Sequence, residues 1–487
     1  MRMGGLICRL KLDRVTDVKT IALVNPPYSF WSPEKNYLRP FIGTLPSLGL
    51  LSLAAVLRKR GYAVRIIESA SLGLTFSQTV EEVLREKPRY VGLNCTTASI
   101  DNAARIAGAI KAVNPQILVF VGGPHITAIP EETFRRYAAF DYGIAGEGEM
   151  AFPDLLLRVE EGQRLREVES AIFREGEKVI TNPRRRFMED LDCLPLPAYD
   201  LLPFFPQKYR PPLLNYQRGP AASLISSRGC PQICTFRDRS VFGNRYRYFS
   251  EDYLMDLISR LHHGYGIRHL IFADDQFAAS RTRLLRFCEK LARAGLPLRW
   301  NCDARVDSVD PALLKIMKRA GCWMISYGIE SGSPEILAGI SKGIRLDQVE
   351  QAVRTTKEAG IRAKGLFMIG YPQETESTLK DTLSLILRCP FDELNLSFLT
   401  PYPGTEIYAQ AKDSPSFTED WSKMNAMNCV FRPEALATGV LEKTYAKIIR
   451  KFYMRPRITF SYLNLLARSP DNCGRLAVGL ARWLVGR

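Results

Sequence analysis

The feature that most narrows the fold of this chain is a double series of short apolar runs. From Lys19 to about Arg158 there are five, IALVNPP (21–27), AVRIIES (63–69), YVGLNCTT (90–97), ILVFVGGPH (117–125) and YGIAGEGE (142–149). Stretches of helical spacing lie between them, such as LSLAAVLRKRG, QTVEEVLREK and DNAARIAGAIKAV, with Gly61 where the first helix should stop. Continuous apolar runs are strands buried on both faces, and their alternation with helices predicts an α/β domain with an open, doubly wound, Rossmann-like parallel sheet. A second series follows: AASLISS (221–227), HLIFADD (269–275), LRWNCDAR (298–305), MISYGIES (324–331), AKGLFMIG (363–370) and LNLSFLTPYP (394–403). Six β/α units predict a partial (β/α)6 barrel of the TIM type, with functional residues at the carboxyl ends of its strands. The expected layout is an N-terminal extension (1–18), a first domain (19–160), a linker (161–217), the barrel (218–420) and a helical C-terminal region (421–487). The linker is polar and then proline-rich, which suits an ordered strap.

Composition adds exclusions. Eleven cysteines without regular short spacing do not form a secreted disulfide framework. Charges at Arg9, Lys11, Asp13 and Arg14 come too soon for a signal-peptide core. No uncharged apolar stretch approaches the roughly 18 residues of a spanning helix. A reducing cytoplasm is the expected compartment. The net charge of +16 suits an anionic partner such as a phosphorylated substrate or a membrane surface, or simply a solvated basic face. Without zinc-finger spacing, an RNP-like strand or a long basic block, no nucleic-acid partner is expected.

Three strands of the first series end in turn-rich segments: Asn25-Pro26-Pro27, Gly122-Gly123-Pro124-His125 and Gly146-Glu147-Gly148-Glu149. Ligands of such sheets bind beyond these ends, and glycine lets the backbone approach them, though it also makes tight turns. No G-x-G-x-x-G or Walker loop supports a dinucleotide or ATP. Directly after the first strand of the second series comes SSRGCPQICTFRDR, with Cys230 and Cys234 four apart and Arg237 three further on. Two thiolates can hold a soft metal or be incidental. A cubane cluster with an open iron takes three.

The succession NPP, PSLGLLSLAAVLRKRGY, GGPH and GEGE resembles the cobalamin-binding domain that precedes many radical S-adenosylmethionine (SAM) enzymes. No Asp-x-His occurs, so the resemblance implies base-off cobalamin with no protein histidine below the cobalt, and His125 at the ligand's edge. SSRGCPQICTF resembles the radical SAM cluster loop, C-x3-C-x-aromatic-C, with Phe236 in the aromatic place and Arg237 in place of the last cysteine. FADDQF (272–277) resembles the acidic segment near the SAM methionine moiety, which points to Asp274 and Asp275. GIESG (328–332) resembles the ribose-contacting segment, with Glu330 and its neighbour Ser331. FMIGYPQET (367–375) and PYPGTEIY (401–408) resemble late-barrel segments lining the adenosine pocket.

The implied cofactors are cobalamin, SAM and a [4Fe–4S] cluster ligated by Cys230 and Cys234, reduced by a flavodoxin or ferredoxin. The implied activity is methyl transfer, or C–C or ring-forming chemistry, on an apolar, lipid-like small molecule. The alternative is a non-catalytic cobalamin-binding protein with a vestigial barrel. A guanidinium has no lone pair for iron. Three accounts of Arg237 therefore stand: a degenerate site, a substitute ligand such as Cys302, or an isolated change. No catalytic residue is legible. At the C-terminus, Leu476, Leu480, Trp483 and Leu484 recur at helical spacing among Arg475, Arg482 and Arg487. Such a helix suits peripheral contact with an anionic membrane, or packing against the barrel.

Overall fold

A computed structural model of the protein describes residues 19–28, 43–184, 186–213, 215–467 and 472–476. The first sheet begins with β1 (Thr20–Asn25), whose side chains from Ile21 to Val24 are wholly buried. It continues with β2 (Ala63–Glu68), β3 (Tyr90–Asn94), β4 (Leu118–Gly122) and β5 (Tyr142–Ile144). These five run parallel in the order β2-β1-β3-β4-β5, so the crevice of the sheet opens at the carboxyl ends of β1 and β3. Helices α1 (Leu48–Lys59) and α3 (Gly148–Glu160) bury their apolar stripes on one face, and α2 (Ile100–Val113) buries its stripe on the other.

The sheet extends past residue 160. An antiparallel hairpin, β6 (Ala171–Glu175) and β7 (Lys178–Thr181), joins it at β5, in a segment expected to be strap. Its tight connection runs through Gly176, at φ 60°. The rest of the linker is part of the core: Leu191, Leu194, Tyr199, Leu202 and Tyr209 are buried between the α1/α3 layer and the barrel. The Ala198 amide donates to the Leu51 carbonyl at 3.1 Å, and the Tyr199 hydroxyl to the Ser223 carbonyl at 2.6 Å.

The second sheet has the six expected strands. They are β8 (Ala221–Leu224), β11 (His269–Phe272), β12 (Arg299–Ala304), β13 (Cys322–Glu330), β14 (Arg362–Ile369) and β15 (Glu393–Phe398), all parallel in the order β15-β14-β13-β12-β11-β8. Between β8 and β11 a short hairpin, β9 (Ser227–Arg228) and β10 (Arg247–Tyr248), brackets the cysteine loop.

The C-terminal region starts as a strap rather than a helix: Trp421, Met424 and Val430 pack into the α2 face of the first sheet. Helices α4 (Val440–Tyr453) and α5 (Pro456–Ala467) follow. Leu465 of α5 packs on Trp323 and Met324 near the amino end of β13. Arg475 donates to the Tyr216 hydroxyl at 3.1 Å and the Pro211 carbonyl at 3.0 Å. Through residue 476, then, the described part of the tail packs on the barrel and linker, whereas Leu480, Arg482, Trp483, Leu484 and Arg487 lie outside the described residues. No helix among the described residues is long and apolar enough to cross a membrane.

Candidate cofactor site

A cavity of about 630 Å³ lies between the carboxyl ends of the first sheet and the cysteine loop of the barrel. Its floor is Gly122 and Gly123 after β4, Gly146 and Gly148 after β5, and Asn94 at the end of β3. Below them an apolar slot formed by Leu23, Leu93, Phe120 and Phe152 reaches toward the sheet. Gly123 sits at φ 103°, and a Cβ there would stand 2.7 Å from Asn94 Oδ1 and 2.8 Å from the Cys95 carbonyl, so only glycine lets the two loops lie this close. A Cβ on Gly146 would meet nothing within 4 Å, which leaves the backbone there open to a flat ligand. The roof carries Arg228, Cys230, Arg237 and Asp275.

Several expected contacts do other work. Asn25 Nδ2 donates to Glu68 Oε2 at 2.8 Å, and neither Asn25 nor Pro26 lines the cavity. His125 also lies off it. Its Nδ1 is 3.1 Å from Thr97 Oγ1, its ring meets the edge of Trp421 at 4.5 Å, and its buried Nε2 has no partner among the described residues. Burial, with Arg136 nearby, lowers its pKa to about 3. It is a neutral packing residue on the α2 face, and no histidine among the described residues lines the cavity.

Glu147 reaches the cavity wall but is spoken for. Arg228, only 6% exposed, donates from Nη1 to Glu147 Oε1 at 2.8 Å and from Nη2 to Glu149 Oε1 at 2.5 Å. Arg247 Nη1 donates to Glu147 Oε2 at 2.9 Å, and Ser52 Oγ to Glu149 Oε1 at 2.9 Å. The GEGE motif is thus a buried ionic joint between the two domains. Burial alone would raise the Glu149 carboxyl, but Arg228 beside it outweighs that and holds it below its usual range. The sequence reading missed Arg228. The signal was a charged residue between a buried strand and a glycine.

The cysteine loop turns at Gly229, at φ 80°, where a Cβ would lie 2.3 Å from the Arg245 carbonyl. Cys230 and Cys234 are both buried, with Cys230 Sγ 3.6 Å from Gln276 Oε1. Burial pushes the Cys234 thiol up, against the pull of Lys342, Arg237 and Arg305. The Arg237 amide donates to the Cys234 carbonyl at 3.3 Å, and its Nη1 donates to Asp275 Oδ1 at 2.9 Å. Cys302 cannot stand in as a third ligand. Its free thiol hydrogen-bonds that of Cys322 and neighbours Cys288 of the helix spanning Arg281–Arg293, so it points into the helix layer. Successive strand residues face opposite ways, and it is Asp303 that faces the lumen.

Asp274 is likewise consumed. It accepts from the Ser226 amide at 2.6 Å and from the Ser226 and Ser227 hydroxyls, the latter at 2.8 Å, and so anchors the strand end instead of facing SAM. Ser331 is fully buried against Thr382 Oγ1 at 3.2 Å. Glu330, at φ 75°, accepts from Lys342 Nζ at 2.8 Å. Asp303, unremarked in the sequence, faces the barrel's hollow interior near Ser326, Lys364, Asp274 and Arg237. The surrounding protein pushes its carboxyl up to about 6.

The glycine floor and apolar slot fit a flat, bulky macrocycle with a tail. Two thiols and a guanidinium do not fit a cluster that takes three protein thiolates, and no group of three metal-binding side chains occurs among the described residues.

Comparison with known proteins agrees with this architecture. A B12 binding domain model matches residues 37–156, and a Radical SAM superfamily model matches residues 224–386. An uncharacterized methyltransferase of Pyrococcus horikoshii is 33% identical over 444 residues, covering 91% of this chain and 94% of that protein. The anaerobic magnesium-protoporphyrin IX monomethyl ester cyclase of Cereibacter sphaeroides is 27% identical over 89% of this chain and 70% of its own length. A radical SAM methyltransferase from Kitasatospora setae, solved with cobalamin and a [4Fe–4S] cluster bound, shares the fold at a TM-score of 0.68 and 19% identity, over 87% of this chain and 84% of that one. A B12-binding sheet, a radical SAM barrel and a methyltransferase relative matched over nearly its whole length place this chain in the family of cobalamin-binding radical SAM enzymes of the methyltransferase type.

Proposed function

We propose that this chain carries out cobalamin-dependent methyl transfer, or a related ring-forming reaction, on an apolar small molecule held between the two domains. The observation that carries this reading is the single cavity whose floor is the glycine ends of the first sheet and whose roof is the barrel's cysteine loop. Gly122, Gly123, Gly146 and Gly148, with Asn94, would hold the corrin, and the slot of Leu23, Leu93, Phe120 and Phe152 would take its tail. Asp275 and Glu330 stand at the barrel mouth, where SAM would lie. Bound there, the cofactors would supply a methyl-carrying cobalt and the SAM that donates the group. The chain's own part is positioning and exclusion of water. The ionic joint at Arg228 fixes the two halves of the site, the apolar slot keeps it dry, and Asp303, its carboxyl pushed up to about 6, would exchange a proton at mildly acidic pH inside the barrel. The walls favour an apolar, lipid-like substrate. The domains proposed for these roles are 19–160 for cobalamin and 218–420 for SAM.

One observation favours the second reading, a cobalamin-binding protein without radical chemistry: Arg237, which the motif resemblance puts in the place of the third cluster cysteine, is held by Asp275. Anaerobic iron and sulfide analysis of the natural chain and of Arg237→Cys, followed by SAM cleavage with reduced flavodoxin, separates the two. A substoichiometric, labile cluster in the natural chain, with a full cluster and SAM cleavage in Arg237→Cys, supports a radical SAM site altered at one residue. A barrel that builds no cluster in either form supports the second reading. A full, SAM-cleaving cluster in the natural chain contradicts the donor count.

A further inference from the structure

Arg237 is notable for what it is paired with. Its guanidinium and the Asp275 carboxylate are 2.9 Å apart, their side chains 33% and 40% exposed, and both line the cavity. Among the described residues the Arg237 side chain donates only from Nη1, to the carbonyl and Oδ1 of Asp275. That leaves Nε and Nη2, the two parallel donors that grip a carboxylate. Asp275 Oδ2 has no partner among the described residues and is free to accept from an ammonium. An open, adjacent guanidinium and carboxylate are complementary to one chemical group in particular, an α-amino acid zwitterion. The pair that joins the domains is built differently: Arg228 is buried, and both of its Nη groups are taken by Glu147 and Glu149.

We propose that the Arg237–Asp275 pair binds the α-amino and α-carboxylate groups of SAM, with Arg237 taking the carboxylate and Asp275 the ammonium. The two groups that an open cluster iron would chelate are thereby read by side chains, and SAM binding in this chain needs no iron. This inference rests on the reading that the barrel takes SAM, and the test keeps the two apart.

The test measures the affinity of the full-length, iron-free, cobalamin-loaded protein for SAM and for decarboxylated SAM by equilibrium dialysis, with natural Arg237 and with Arg237→Ala. Retention of cobalamin reports that the variant is folded. Removing one charge-assisted bidentate contact should weaken SAM about 10- to 100-fold. The same variant should leave decarboxylated SAM within about twofold, since the carboxylate it reads is already gone. Asp275→Asn should weaken both ligands. Equal loss of both ligands in Arg237→Ala would make Arg237 a structural residue and overturn the proposal. So would SAM that binds only to cluster-loaded Arg237→Cys. If SAM binds to no form, with or without a cluster, the SAM reading of the barrel fails as well.

Discussion

Replacing Arg228 by alanine tests the joint on which the composite site depends. The change leaves Glu149, in a position that is 6% exposed, with Ser52 as its remaining side-chain partner, while Glu147 keeps Arg247. An uncompensated buried charge costs about 3–5 kcal/mol, whereas solvent-exposed ion pairs in general are worth about 0–1 kcal/mol. The pH dependence follows from the direction of each shift. In the natural chain the folded Glu149 carboxyl lies below its unfolded value, so its contribution is present above about pH 4.3 and is lost as pH falls through the folded value. Without Arg228, burial dominates and the folded carboxyl lies above the unfolded value. The cost is then full above the folded value and disappears on acidification. Urea unfolding followed by circular dichroism should show Arg228→Ala less stable by about 3–5 kcal/mol near pH 7.5, with the gap narrowing toward about pH 4.5. Arg228→Met combined with Glu149→Gln should recover much of the loss, because breaking the pair, not lacking it, is the costly state. A gap below about 1 kcal/mol, or one independent of pH, would show that the joint is a surface-type pair and refute the reasoning.

Asp303→Asn should gain stability relative to the natural chain as pH rises from about 4 to 7, because a carboxyl held at about 6 in the fold opposes ionisation there; urea midpoints across that range check it, and a flat difference would mean the lumen solvates Asp303 fully. Leu465→Ala should cost about 2 kcal/mol by uncovering Trp323 and Met324, read by thermal unfolding. Truncation after Arg457 should destabilise the barrel in the same assay. Co-sedimentation with anionic vesicles, compared with and without that segment, shows whether it also contacts membranes, and equal co-sedimentation leaves it a packing element.

Much of the fold was legible because buried parallel strands leave continuous apolar runs, and all eleven appear as strands. The hairpin at Ala171–Thr181 was not read, since a half-exposed antiparallel pair writes a weaker alternating pattern and here lies in a polar stretch. In the site, the glycines carried their meaning openly: Gly122, Gly146 and Gly148 line the cavity. Charged residues did not. Asp274 and Asp275 are adjacent in sequence, yet one is locked by two serines and the other is open to the cavity. Glu147 looked like a ligand contact, and it and its neighbour Glu149 instead meet Arg228 and Arg247, some 80 to 100 residues away. His125 sits in a strand-end loop but turns toward Trp421, from the far end of the chain. Such pairings are made by tertiary packing, and no local pattern encodes them.

The central claim is that the glycine floor is a corrin seat. It is tested most directly by equilibrium dialysis of the full-length protein against hydroxocobalamin, alongside Gly148→Phe, a variant that keeps ordinary backbone geometry and places a ring at the cavity wall. The account predicts one corrin retained per chain at micromolar concentration, with a base-off absorption spectrum, and loss of that retention in Gly148→Phe while the fold persists. No retention by the natural chain, or equal retention by both forms, would contradict it.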